Sequence, residues 1–312
     1  MTGYDALRNQ AAWLDLSVRG KIKVSGEDRA RLLHAMTTNH IQQLTPGEGC
    51  YAFFLNDKGR ILADANILCR PDFFLLDVEP ETREKLYQHL DHFIIADDVT
   101  LDDQTPATAT IALEGPDSAA VLERVGAPVP QADYASEVWG DAVVARLNFT
   151  GSPGFFIFTA AENKAELVGK LQAAGAVPAD AEAARVVRLE HGKPQYGEDL
   201  GERFLAQEAN QPHALHFSKG CYLGQEIVER VRSRGQIHRV LMPLILNTDV
   251  PPEPGARLHI GEASAAEITS AAYSPALQRV VALGYVRTEH ARPQTMMTLD
   301  GVEAEVATPA GR

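Results

Sequence analysis

Three cysteines occur in the 312 residues, and Cys221 stands in the stretch Lys219-Gly220-Cys221-Tyr222-Leu223-Gly224-Gln225-Glu226. A thiol becomes reactive when a nearby cation or a helix N-terminus stabilises its anion. Lys219 lies two residues before Cys221. Leu223, Ile227 and Val231 at helical spacing predict a helix that begins just after it, with Glu226 and Arg230 as an i,i+4 ion pair on another face. Gly220 and Gly224 leave room for a ligand or a second backbone. The plainer reading is a small residue buried at a helix entrance. Cys50 and Cys69 sit in apolar strand runs and read as core. Three widely separated cysteines argue against a disulfide framework and against a metal held by this chain alone.

Glu190 is the second candidate. The helix predicted over 180–191 has an apolar face through Ala183 and Val187 on which Glu190 is the only acid. A carboxylate turned inward is costly unless it meets donors, and a ring bearing N–H groups, such as a pterin, would supply them. The alternative is a solvent-facing carboxylate paired with Arg185 or Arg188. A third feature is Arg230, Arg232, Arg234 and Arg239 with His238, a local basic excess that could hold a phosphate or a polyglutamate tail or form a solvated edge. No phosphate-binding glycine loop, GxGxxG, HExxH or GxSxG stretch occurs, so nucleotide-fold and common hydrolase readings have no motif behind them.

Positioning these residues takes more than one domain, and 312 residues fit two or three. Ile22 to Leu33 (IKVSGEDRARLL) and Ile111 to Leu122 (IALEGPDSAAVL) share a strand, Gly-x-Asp turn, helix pattern at an offset of 89 residues. Glycine permits the turn and aspartate can cap the helix. Each copy is followed by a hairpin, through Asn56 to Gly59 and through Gly151 to Gly154, then by a strand and a helix. Leu86, Leu90 and Phe93 share one face of the first of these helices, Leu167 and Leu171 that of the second. From about Gln236 the sequence becomes short β runs broken by Pro and Gly, a small barrel. The reading is an α+β protein of two packed βαββαβ-like units, over 1–105 and 106–235, with a C-terminal β-barrel over 236–312.

A net charge of -13 opposes non-specific binding to phosphate backbones. No apolar run approaches the roughly 20 residues that cross a bilayer, and Met1 to Gly20 lacks the pattern of a secretory signal. A cytoplasmic protein without membrane contact is expected.

KGCYLGQEIVER (219–230), preceded by AQEAN (206–210), resembles the signature K-G-C-[YF]-x-G-Q-E of the folate-binding YgfZ-type proteins of iron-sulfur cluster assembly and repair, relatives of the glycine cleavage aminomethyltransferase, or T-protein. The similarity extends through RLNFTGSPGFFIF, RLEHGKPQYGEDL and AEITSAAYSPALQRVVALGYV, nearly the whole chain. It implies a T-protein-like ring of two α+β units and a barrel around a central cavity for tetrahydrofolate. It assigns Cys221 a functional role, with Lys219, Gln225 and Glu226 as motif neighbours. On the folate side it implies Glu190 against the pterin, then Asp64, Tyr196, Tyr222 and Arg230. Asp64 falls where the transferases carry an Asp-Asp pair, here Ala63-Asp64, and Glu79 where they carry a folate-contacting asparagine. Both departures count against aminomethyl transfer. The resemblance therefore implies a tetrahydrofolate-binding accessory protein with iron-sulfur client proteins, including tRNA-modifying enzymes. A folate-dependent aminomethyltransferase or methyltransferase is the alternative, and direct tRNA binding is weakened by the charge.

Overall fold

The computed structural model describes residues 2–235 and 237–308, apart from the side chain of Arg234. The ends of the range expected for the barrel, at 236 and 309–312, lie outside the described residues, as does the Arg234 side chain of the basic stretch.

The internal repeat folds as two sheets of matching order. The first runs β3 (Gly49–Leu55), β4 (Ile61–Cys69), β5 (Phe73–Val78), β2 (Gly20–Ser25), β6 (Thr100–Asp103). The second runs β8 (Ser136–Trp139), β9 (Ala142–Ala145), β10 (Gly154–Ala160), β7 (Thr108–Glu114), β1 (Ala12–Asp15), β11 (Val177–Pro178). The Gly-x-Asp turns lead from β2 to α2 (Arg29–Met36) and from β7 to α4 (Ser118–Arg124), and α3 (Arg83–Phe93) and α5 (Lys164–Ala173) follow the last repeated strands.

Glycine is needed in both turns for the same reason. Gly26 has φ +103° and a Cβ there would lie 2.0 Å from the Asp98 carbonyl; Gly115 has φ +117°, its Cβ position 2.4 Å from the Gln10 carbonyl. The aspartates do not cap as expected, since neither Asp28 nor Asp117 accepts a capping hydrogen bond from its helix backbone through its side chain. Asp28 instead accepts from the backbone N–H of Asp98 at 2.9 Å, tying the turn to the chain that enters β6. Phe93 also departs from the helical pattern: Leu86 and Leu90 are buried, but Phe93 is 37% exposed at the end of α3.

The first unit does not keep the whole range 1–105. α1 (Gly3–Asn9) packs beside α6 (Ala181–Glu190), and β1 pairs antiparallel with β7, Trp13 opposite Leu113. Thus the N-terminal segment completes the second sheet. Four residues of strand are too few for an alternating pattern to declare which sheet they join.

Six strands, β12 (Arg239–Leu246), β15 (Arg279–Arg287), β14 (Ala263–Ser274), β13 (Arg257–Ile260), β16 (Met296–Leu299) and β17 (Val302–Val306), close into a barrel, which leaves no free sheet edge. Its interior holds Leu244, Leu246, Leu258, Ile268, Val280, Val286 and Val306. A separate apolar cluster of Phe53, Leu55, Ile61, Tyr196, Phe204 and Tyr285 joins the β3–β4 hairpin to the segment after α6 and to the barrel. Each fully buried side chain of this size contributes about 1.5–3 kcal/mol, so this cluster fixes the three parts around a common centre. Among the described residues no helix is long and apolar enough to cross a membrane.

Candidate functional site

A cavity of about 540 Å³ lies between the two α+β units and the chain that follows α6. The hairpin contributes Tyr51, Asp64 and Asn66; Arg19 and Glu79 flank the first sheet; Asn148 and Phe149 come from the loop between β9 and β10, and Lys193, Gln195 and His213 from the chain after α6.

Asp64 is incompletely satisfied by its surroundings. Its Oδ2 accepts from the Tyr51 hydroxyl at 2.7 Å, while its buried Oδ1 has no hydrogen-bond partner among the described residues. Burial, then repulsion from Glu79, pushes its carboxyl up to about 6, with the Tyr51 hydrogen bond opposing. Glu79 is held by Arg19, whose guanidinium also grips Asp77 at 2.9 Å. Burial opposes the charge of Arg19, but Asp77 and Glu79 outweigh it and hold the guanidinium charged. Lys193 donates to both oxygens of Asn148, the side-chain one at 2.6 Å. Burial lowers its ammonium to about 8, against the pull of Glu114. Sequence reasoning missed Tyr51, Arg19 and Lys193. The one local signal was Lys193 directly after the helix-ending Gly192, a cation where the chain turns back toward the sheets.

Glu190 is not on the cavity wall. It accepts from Tyr4 at 2.5 Å, from Ser274 at 2.6 Å and from Arg8, so it clasps α1, the end of α6 and the barrel together. Its inward carboxylate did require donors, as reasoned, but the protein supplies them. Tyr196 is buried and its hydroxyl accepts from Lys85 at 3.0 Å; Tyr222 is buried beneath the Lys219 ammonium, 4.8 Å from its ring centre. Arg230 is exposed and pairs with Glu226 at 2.8 Å. Of the residues expected around folate, Asp64 alone lines the cavity, with Glu79 beside it.

Around Cys221 two expectations change. α7 (Gln225–Arg234) begins four residues later, after Gly224 at φ +82°, so its N-terminus does not fall at the cysteine. The Lys219 ammonium turns inward and donates to the carbonyls of His34 and Thr37 at 2.5 Å and of Asn39 at 2.8 Å. With all three N–H donors used on α2 and the residues after it, Lys219 anchors the loop and leaves no donor for a thiolate. Burial brings its ammonium down to about 7. Gln225 accepts from the Tyr222 N–H at 3.3 Å, closing the loop. Cys221 itself is exposed and unbridged. His34, His40 and His216 meet edge to edge nearby, ring centres 4.6 and 5.2 Å apart. Burial, then Lys219, keeps His34 uncharged, its ring down to about 4. No group of three or more His, Cys, Asp or Glu among the described residues is placed to hold a metal ion.

The arginine stretch is not one basic patch. Arg232 pairs with Glu229 at 3.6 Å, and Arg239 pairs with Glu208 at 3.2 Å while lying over the Tyr285 ring.

Two α+β units with a polar cavity between them and a closed C-terminal barrel define a class that comparison with known proteins names. Residues 2–219 match the GCVT N-terminal domain, and residues 239–309 match the glycine cleavage T-protein C-terminal barrel domain. The chain belongs to the GCVT family. It is 30% identical to an aminomethyltransferase of Rubrobacter xylanophilus over 92% of this chain and 78% of that one. It is 28% identical to a chloroplastic protein of Arabidopsis thaliana over 97% and 72%. The crystal structure of the glycine cleavage system aminomethyltransferase T from Bartonella henselae superposes with a TM-score of 0.89 at 22% identity, covering 98% of this chain and 87% of that one, which shows the shared fold.

Proposed function

We propose that the chain binds a tetrahydrofolate in the central cavity and acts as an accessory protein in iron-sulfur cluster assembly or repair, with Cys221 meeting client proteins at the outer surface. The observation that carries the folate half is the buried Asp64 carboxyl, with one oxygen lacking a partner among the described residues, on the wall of a cavity of about 540 Å³. That volume lies within the roughly 300–1,000 Å³ usual for ligand sites. A pterin presents ring N–H donors, which a carboxylate without its own donor accepts. Asn66, Gln195 and Asn148 on the same wall offer further polar contacts, and Tyr51, Phe149 and Phe156 offer apolar faces.

The accessory half rests on Cys221. The thiol is exposed and off the cavity wall, so its partner comes from solution. Lys219 and Gln225 hold its loop rigid, and Glu226 and Arg230 are exposed on the helix that follows. Wild-type protein should bind tetrahydrofolate saturably in a calorimetric titration. Asp64→Asn, losing a charge-assisted acceptor, should weaken binding about tenfold or more. Cys221→Ser should leave the titration unchanged and abolish support of iron-sulfur enzymes in cells lacking the protein. Full rescue by Cys221→Ser sinks the accessory role, and absence of binding by wild type sinks the folate role.

A second reading, a folate-dependent aminomethyl- or methyltransferase, is favoured by the same carboxyl. A group near 6 can take or give a proton at neutral pH. Turnover with an aminomethyl donor, lost in Asp64→Asn, would establish it.

A further inference from the structure

The charged groups of the cavity differ in how firmly they are held. Arg19 is locked to Asp77 and Glu79, and Arg188 to Glu198 and Asp199. Lys193 makes no ion pair among the described residues; its partners are two neutral oxygens of one residue, Asn148, itself on the cavity wall. Releasing the amine therefore breaks hydrogen bonds to neutral acceptors and no direct ion pair, although the buried Glu114 favours the charged form from a distance. Among the described residues Lys21 and Lys219 are the buried lysines, and neither reaches the cavity. Lys21 donates to the Ser17 carbonyl at 2.6 Å, and Lys219 is committed to three carbonyls.

We propose that Lys193 is a nucleophilic amine of the cavity that captures a one-carbon aldehyde, formaldehyde or its equivalent, as an imine. The proposal deepens the one-carbon reading of the cavity but needs only that a small aldehyde can enter. The ammonium first releases its extra proton to solvent, which its lowered affinity favours. The free amine then adds to the carbonyl carbon: the C–N bond forms as the C=O π bond opens, and one N–H proton passes to the oxygen, giving a carbinolamine. Loss of water, its oxygen from the aldehyde and its two hydrogens from the amine, leaves the C=N bond. No oxidant or reductant takes part. Asp64 and Glu79, on the same cavity wall, favour the protonated, cationic imine.

The test treats the full-length protein at neutral pH with isotopically labelled formaldehyde and cyanoborohydride, then reads methylation of each lysine by peptide mass spectrometry. Lys193 should be methylated at least about tenfold faster than the exposed Lys58 and Lys170, because an amine near 8 carries far more free base than an ordinary lysine. Lys21 and Lys219, lowered to about 8 and about 7 but away from the cavity, should lag behind Lys193. Labelling of Lys193 no faster than Lys58 overturns the proposal, as does labelling of Lys21 and Lys219 alongside it, which would show that a lowered proton affinity and not the cavity decides. Asn148→Ser, which removes the side-chain acceptor, should speed Lys193 labelling; unchanged labelling in that folded variant counts against the proposal. A repeat with folic acid, which does not condense with the aldehyde, separates the two readings. Protection of Lys193 supports both, while fast labelling without protection keeps the amine and removes folate from this wall.

Discussion

The Tyr51 hydroxyl reaches across the β3–β4 hairpin to Asp64 at 2.7 Å, though Tyr51 is registered opposite Asn66 and Asp64 opposite Phe53. The contact is thus diagonal, on the one face of the hairpin that turns to the cavity. It stabilises the charged carboxylate and opposes the burial that disfavours it. Tyr51→Phe should therefore raise the Asp64 carboxyl above about 6. Carboxyl-carbon NMR titration of wild type and variant, with Asp64→Asn to assign the resonance, reads this directly. An Asp64 midpoint that falls or stays put refutes the role given to Tyr51.

The same carboxyl makes stability depend on pH. Its folded-state value, about 6, lies above the ordinary aspartate value of 3.8, so between these values the folded protein binds more protons than the unfolded chain. Stability from this group is then highest at acid pH and falls as pH rises through 6. The loss amounts to about 3 kcal/mol. Asp64→Asn removes it, so the variant should gain on wild type by that order as pH rises from about 4 to about 7. Urea unfolding of both proteins across this range measures the difference. Parallel curves would show that Asp64 does not titrate as its burial requires.

The two repeated units were legible because glycine turns, hairpins and helical faces are local signals, and Gly26 and Gly115 meet the same backbone constraint in both copies. The barrel was legible from its short strands. What was hidden depends on contacts far apart in sequence. β1 joins the second sheet because β7 offers it an edge. Glu190 reads as an acid in search of donors, but the donors come from residues 4, 8 and 274. Lys219 beside Cys221 in sequence suggested a thiolate partner, yet its ammonium reaches back to the end of α2. Proximity along the chain gives the position of an α-carbon, and a lysine side chain long enough to turn either way goes where acceptors are buried.

Glu190 follows as a stability residue. Glu190→Ala removes the acceptor shared by Tyr4, Arg8 and Ser274 and leaves a partly buried guanidinium without its countercharge. The expected cost is about 2–4 kcal/mol. Thermal unfolding should show a lowered midpoint, while affinity for a ligand in the cavity should change little. A large affinity loss at unchanged stability would instead put Glu190 in the binding site.

Lys219 supports a last prediction, because its ammonium joins the Cys221 loop to two places at once. The carbonyls of His34 and Thr37 belong to the C-terminal turn of α2, where the helix dipole also favours a cation. The Asn39 carbonyl leads to the cavity, since the Asn39 amide donates to the backbone carbonyls of Tyr51 and His213 at 2.9 Å. Lys219→Met keeps the stem over Tyr222 but removes all three donors, and loss of buried hydrogen bonds to a charged group costs about 1.5–3 kcal/mol. Relief of the burial penalty that lowers this ammonium offsets part of that cost. The stability loss should accordingly be modest and the local effect large. Iodoacetamide should alkylate Cys221 several-fold faster in Lys219→Met at constant pH, because the strap that restricts the loop is gone. An alkylation rate that does not change, in a variant shown by urea unfolding to be folded, would mean that the loop is held by Gly224 and Gln225 alone.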